Sequence, residues 1–141
     1  MSRKIFTYFL VFISVSVCFL GAFAASRAPL FAEFSDTFEL YFKKGSFDSY
    51  ITTVGIEDYR LSGDVEGEGC TVKEGITAEE IMRAFSATVV FGEETEDGIS
   101  YYCYSEKIRY RENLKGKEVN LQIFESSRGI KIGAPLIYGS F

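Results

Sequence analysis

Histidine is absent from all 141 residues, and that absence narrows the chemistry first. Imidazole is the usual general base, the usual partner of a nucleophilic Ser or Cys, and a common ligand of catalytic zinc. What remains is carboxylate, thiol, hydroxyl and amide chemistry, drawn from 20 Asp+Glu, 3 Cys and 9 Tyr. The run Asp64-Val65-Glu66-Gly67-Glu68-Gly69 opens like a calcium loop, with acids at positions one, three and five and Gly at six. Position twelve, where a bidentate acid belongs, is Gly75, so a strand end and turn is the better reading. Glu93, Glu94, Glu96 and Asp97 form a second acidic cluster, of the kind that charged hairpin loops present without a ligand. Neither is read as a metal site.

Nucleophilic and phosphate chemistry find equally little. Ser126, Ser127 and Lys131 miss the Ser-x-x-Lys spacing, and no Gly-rich phosphate loop occurs. Twenty acids make some carboxylate pair inevitable, so a carboxylate-based hydrolase has no specific support. No catalytic residue and no cofactor is expected. Cys70 and Cys103 are a candidate disulfide, which would stabilise by roughly 3–4 kcal/mol in the chain-entropy model. Two separate buried thiols are the alternative. Tyr102, Tyr104, Asn120 and Gln122 are the candidate interaction face, because Tyr beside Asn or Gln on a sheet suits contact with a protein or a glycan.

These residues need elements to position them. Residues 1–24 read as an export signal: Arg3 and Lys4, an uncharged run from Ile5 to Phe23, then Ala22-Phe23-Ala24 as the cleavage pattern. An uncleaved anchor is the rival reading, since the run is long enough to span a bilayer. Cys18 lies inside the apolar run and lacks the small residue before it that lipid attachment needs. Without Arg3 and Lys4 the chain keeps 13 cations against 20 anions, net −7, which disfavours nucleic acid and anionic membrane as partners. The basic stretch Lys107, Arg109, Arg111, Lys115 and Lys117 is diluted by Glu106, Glu112 and Glu118.

Residues 25–55 read as helical, from the spacing of Phe31, Phe34, Phe38 and Phe42, with Lys43-Lys44-Gly45 as a stop and a second short piece opened by Ser46. Residues 56–141 read as an α+β domain. It holds an alternating strand from Tyr59 to Val65, a helix opened by the capping box Thr77-Ala78-Glu79-Glu80 and running to about Ala87, and then strands to the end. Asp97-Gly98, Lys115-Gly116-Lys117 and Ser126 to Gly129 mark the turns. The fold class expected is α+β, with helices packed on one face of an antiparallel sheet of about five strands.

The runs Ile99-Ser100 to Tyr104, Lys117-Glu118-Val119-Asn120-Leu121-Gln122-Ile123 and Ile132-Gly133-Ala134-Pro135-Leu136-Ile137 resemble the YwmB family of exported proteins in spore-forming bacteria. The resemblance covers roughly Tyr50 to Phe141. Members are commonly about twice this long, so the chain would be a single-unit version. The resemblance implies a fold like that of TATA-box-binding proteins and supplies no catalytic residue. The functional expectation is an exported, noncatalytic binding or interaction module at the outer membrane face or in the wall. Its partner would be an envelope protein or wall component, with membrane contact only through the N-terminal segment. The alternatives are a carboxylate-based hydrolase and a membrane-tethered structural protein.

Overall fold

A computed structural model of the chain describes residues 3–25, 28–44, 48–59 and 65–139. Its first element, α1 (Arg3–Ala25), carries the apolar run, and its described side chains from Lys4 to Leu20 are exposed except at Ser16. Among the described residues no helix is long and apolar enough to cross a membrane.

The helical segment expected over 25–55 is instead two strands, β1 (Thr37–Lys44) and β2 (Asp48–Gly55), paired antiparallel. The reason lies in the spacing. Positions four apart share a face in a helix and also in a strand, so Phe38 and Phe42 fit both. Leu40, two residues from each, decides for the strand: Phe38 and Leu40 are buried and Phe42 packs against them. The β-branched run Ile51-Thr52-Thr53-Val54 favours the same outcome in β2. Phe31 and Phe34 sit in a turn before β1, closed by the Phe34 amide on the Phe31 carbonyl at 2.9 Å. Gly45 and Ser46 lie outside the described residues, as do positions 60–64 of the strand expected after Tyr59.

The remaining elements are β3 (Val65–Thr71), α2 (Ala78–Ala84), β4 (Thr88–Thr95), β5 (Gly98–Tyr104), β6 (Glu112–Leu114), β7 (Lys117–Val119), β8 (Leu121–Ser126) and β9 (Gly129–Ala134). Seven strands form one antiparallel sheet in the order β2-β1-β3-β9-β8-β5-β4, and β6 and β7 make a separate hairpin. The protein is therefore mostly β, not a helical layer on five strands. Its short helix is as the sequence signals: Thr77 Oγ1 accepts from the Glu80 amide at 3.3 Å, and Glu80 accepts from the Thr77 amide at 2.8 Å. The helix stops at Ala84, with Phe85 as its C-cap. The β6–β7 turn places Lys115 at φ 53° and Gly116 at φ 76°, the paired positive angles of a type I′ hairpin.

Register assigns the two faces. On one, Phe38, Leu40, Cys70, Ala134, Ile132, Ile123, Leu121 and Cys103 are buried. Ile81 and Phe85 of the α2 region, Phe31, Phe34 and Ile108 complete this core. The Phe85 ring meets Phe31 at 5.7 Å edge-on and Phe34 at 5.8 Å. Each fully buried Ile or Leu contributes about 1.5–3 kcal/mol of apolar transfer. Among the described residues, α2 and its flanking turns pack on this face, through Ile81 and Phe85. On the opposite face Gly67, Gly69 and Gly133 leave a trough, and the segment after β9 folds back over it through a cis Ala134–Pro135 bond. A Cβ on Gly67 would lie 2.8 Å from the Tyr138 ring, and one on Gly133 would lie 2.3 Å from the Leu136 carbonyl oxygen. Tyr138 stacks on Tyr41 at 3.9 Å, and the Ile137 amide donates to Gln122 at 2.9 Å.

Gly133→Ala should therefore lower stability by roughly 3 kcal/mol, because backbone rather than a flexible side chain blocks the new methyl. Gly55→Ala, whose Cβ would meet nothing within 4 Å, should change stability by less than about 1 kcal/mol. Urea denaturation of both variants checks the pair.

Candidate functional site

Two polar constructions stand out, one closed and one on the surface. The closed one centres on Glu68 of β3, which points into the apolar face and is 4% exposed. Its Oε2 accepts from the Tyr59 hydroxyl at 2.7 Å and from the Leu30 amide at 3.3 Å. Its Oε1 accepts from the Tyr110 hydroxyl at 2.8 Å, and that hydroxyl in turn accepts from Arg109 Nη2 at 3.0 Å. A buried carboxylate is tolerated only when such donors replace its water. Burial and the neighbouring carboxylate hold both tyrosines well above the usual phenol range. Every contact of the carboxylate is to a group of the chain itself, and Tyr59, Glu68 and Tyr110 are all buried. The cluster is a structural clasp.

The sequence reading placed Glu68 in a calcium-like opening, whose first residue, Asp64, lies outside the described residues. The alternation of Glu68, Cys70 and Val72, all buried, is the pattern in the sequence that could have placed Glu68 on the apolar side. Among the described residues no group of three or more His, Cys, Asp or Glu could hold a metal ion.

Cys70 and Cys103 do not bridge: both are free and buried. They sit on β3 and β5 with β9 and β8 between them, about 14 Å apart at normal strand spacing, twice what a disulfide spans. Burial pushes the Cys70 thiol up to about 12 and the Cys103 thiol up to about 11.

The expected face of Tyr102, Tyr104, Asn120 and Gln122 is corrected as well. Asn120 is fully buried, accepting from the Ser105 amide at 2.8 Å and donating to the Ser105 and Ile108 carbonyls at 2.7 and 3.1 Å. Gln122 is 5% exposed, donating to Ser100 and Tyr102 and held under the C-terminal segment. Both amides serve the fold.

Tyr102 and Tyr104 remain half-buried and belong to the second construction. Phe91 of β4 stacks on Tyr102 at 4.5 Å. The β6–β7 hairpin brings Lys115 and Lys117 to 5.3 and 5.8 Å from the Phe91 ring centre, and Arg111 to 5.1 Å from that of Tyr104. Lys115 also pairs with Glu93, which accepts from the Tyr102 hydroxyl at 3.3 Å. The Lys115 contact holds the Glu93 carboxyl below its ordinary range, while burial raises the Tyr102 phenol. Arg111 pairs with Glu118 at 3.4 Å. The result is a platform of rings edged by held cations. Sequence reasoning found two of its tyrosines and missed Phe91 and the hairpin above it, because strand pairing alone brings them together.

Beside the platform, Phe85, Ser86, Thr88, Tyr104, Glu106 and Lys107 border an open concavity of about 430 Å³. A second, of about 210 Å³, lies around Phe124, Arg128 and Lys131. Neither lining brings two carboxylates together. No protein-family model, curated protein or solved structure matches this chain.

Glu68→Leu should cost about 3–5 kcal/mol, because two phenols and an amide lose their acceptor. Adding Tyr59→Phe and Tyr110→Phe should restore part of that loss, and urea titration of both variants reads it. The raised thiol values imply stability that is complete below about pH 8.5 and lost as pH climbs toward 11 to 12. In the full chain at pH 8, a thiol reagent should label exposed Cys18 and reach Cys70 and Cys103 only after unfolding.

Proposed function

We propose that the chain is an exported, noncatalytic interaction module that holds a protein partner at the outer membrane face or in the wall. One observation carries this reading: the platform of Phe91, Tyr102 and Tyr104 with Arg111, Lys115 and Lys117 fixed around it. Aromatic and Arg side chains dominate the energetics of protein interfaces. Held rings and held cations also lose little entropy on binding. The surface is an open one, with Phe91, Tyr102 and Tyr104 half-buried and Lys115 and Lys117 exposed, as contact with another protein requires. The export half of the reading rests on the basic start, the apolar run and Ala22-Phe23-Ala24. The resemblance to the YwmB family agrees with it and rests on short motifs.

A photo-crosslinking residue in place of Lys117 should give a discrete adduct in cells, while the same probe at Arg128 on the β8–β9 turn should not. Arg111→Ala with Tyr104→Ala should weaken the adduct about tenfold or more, the usual effect of losing an interface anchor. Equal labelling from Lys117 and Arg128, or none from either, removes the platform from consideration. The mass of the exported form distinguishes cleavage after Ala24 from an intact anchor, and a chain confined to the cytoplasm sinks the export reading.

A further inference from the structure

The sheet has two edges, and they are built differently. Along β4, Glu93 and Glu94 and a register shift between Val89 and Phe91 guard the edge, the usual means of preventing strand addition. Along β2 the one charged residue is Asp48, at its start. Ser49 to Ile56 contains no Asp, Glu, Lys, Arg or Pro, and the register with β1 runs unbroken from Thr37–Gly55 to Lys44–Asp48. Tyr50, Ile51 and Ile56 are 50%, 40% and 49% exposed. Among the described residues no strand pairs with the outer side of β2.

The outward groups can be assigned. The Ile56 amide donates to the Asp36 carbonyl at 3.1 Å, one step beyond the Thr37–Gly55 pair. Antiparallel ladders alternate, so Tyr50, Thr52 and Val54 turn their backbone groups to β1. Ser49, Ile51, Thr53 and Gly55 turn theirs outward.

We propose that this edge binds β2 of a second copy of the chain, antiparallel, about a two-fold axis at Thr52. In that register Ser49 meets Gly55 of the second copy and Ile51 meets Thr53 as hydrogen-bonded pairs. Tyr50 meets Val54 and Thr52 meets its own equivalent as the closer, non-bonded pairs. Every outward backbone group from Ser49 to Gly55 gains a partner. The cross-strand contacts are aromatic on β-branched and Thr on Thr, both favourable. Self-complementarity selects the occupant: one register about Thr52 satisfies the outward groups of both copies at once. The strip from Ser49 to Ile56 carries no charge, so two acidic molecules, each net −5, meet there with least repulsion. A two-fold pairing also closes on itself, as most homo-oligomers do.

The test uses the full chain in mild detergent, which shields the apolar α1, and reads mass by sedimentation across a concentration series. A dimer is expected. Thr53→Pro removes an outward amide and leaves the β1 ladder intact. Ile51→Glu adds a negative charge to the strip of an already acidic molecule. Symmetry makes each change act twice: Thr53→Pro removes two hydrogen bonds and should weaken the dimer about a hundredfold, tenfold per bond, and Ile51→Glu should weaken it through like-charge repulsion. In a Cys18→Ser background, Thr52→Cys should crosslink two chains on oxidation with copper–phenanthroline, because its Cβ faces its equivalent at about 5 Å. Thr95→Cys on the guarded edge should not. A monomer at every concentration overturns the proposal, as does a dimer indifferent to both β2 substitutions. Equal crosslinking at Thr52→Cys and Thr95→Cys overturns it too.

Discussion

The buried carboxylate of Glu68 is the constraint that the rest of the sheet must satisfy. A charge placed in the apolar face is tolerated only if every donor around it arrives. Those donors come from three places far apart in sequence: Leu30 ahead of β1, Tyr59 between β2 and β3, and Tyr110 beyond β5. Glu68 itself pairs with Leu40 on one side and Ala134 on the other, at the seam between the N-terminal strands and the C-terminal ones. A fold that left any of these segments undocked would strand a charge in hydrocarbon. The cluster thus couples the two halves of the sheet into one cooperative unit, more by penalising alternatives than by adding stability.

The opposite face solves a different problem. A seven-stranded sheet has two surfaces to cover, and one seven-residue helix with its flanking turns serves only the first. On the second face the chain omits side chains at Gly67, Gly69 and Gly133 and lays its own C-terminal segment into the gap. At the far end of that face Phe91 and Tyr102 cover each other, and the β6–β7 hairpin adds Lys115 and Lys117 above them. The platform is a consequence of this arrangement. Long cationic stems shield aromatic surface that α2 does not reach, and their charged ends stay in water.

Local chemistry was legible in the sequence, and long-range pairing was not. The capping box at Thr77 and Glu80 and the turn residues at Asp97-Gly98, Lys115-Gly116 and Ser126–Gly129 each work within a few residues, so their chemistry shows in the chain itself. The first two strands were misread because Phe38 and Phe42 satisfy both periods, and only Leu40 separates them. Cys70 and Cys103 could not be resolved because their distance depends on strand order, which places β9 and β8 between them. Alternation correctly puts Gln122 on the face away from the apolar core. That a C-terminal segment would bury it there follows from three glycines on two other strands, which no local pattern connects.

Charge then determines how such a platform can act. Lys115 is matched by Glu93 and Arg111 by Glu118, so two of its three cations project little field, and all are screened beyond a Debye length of about 10 Å at 0.1 M salt. At longer range a partner meets an acidic molecule, net −5 over the whole chain. Polyanions are turned away before they reach the rings, and attraction begins only where ring faces and guanidinium come into contact. Recognition on this surface therefore depends on shape and stacking at close range, which favours a folded partner with its own complementary relief over a flexible charged polymer.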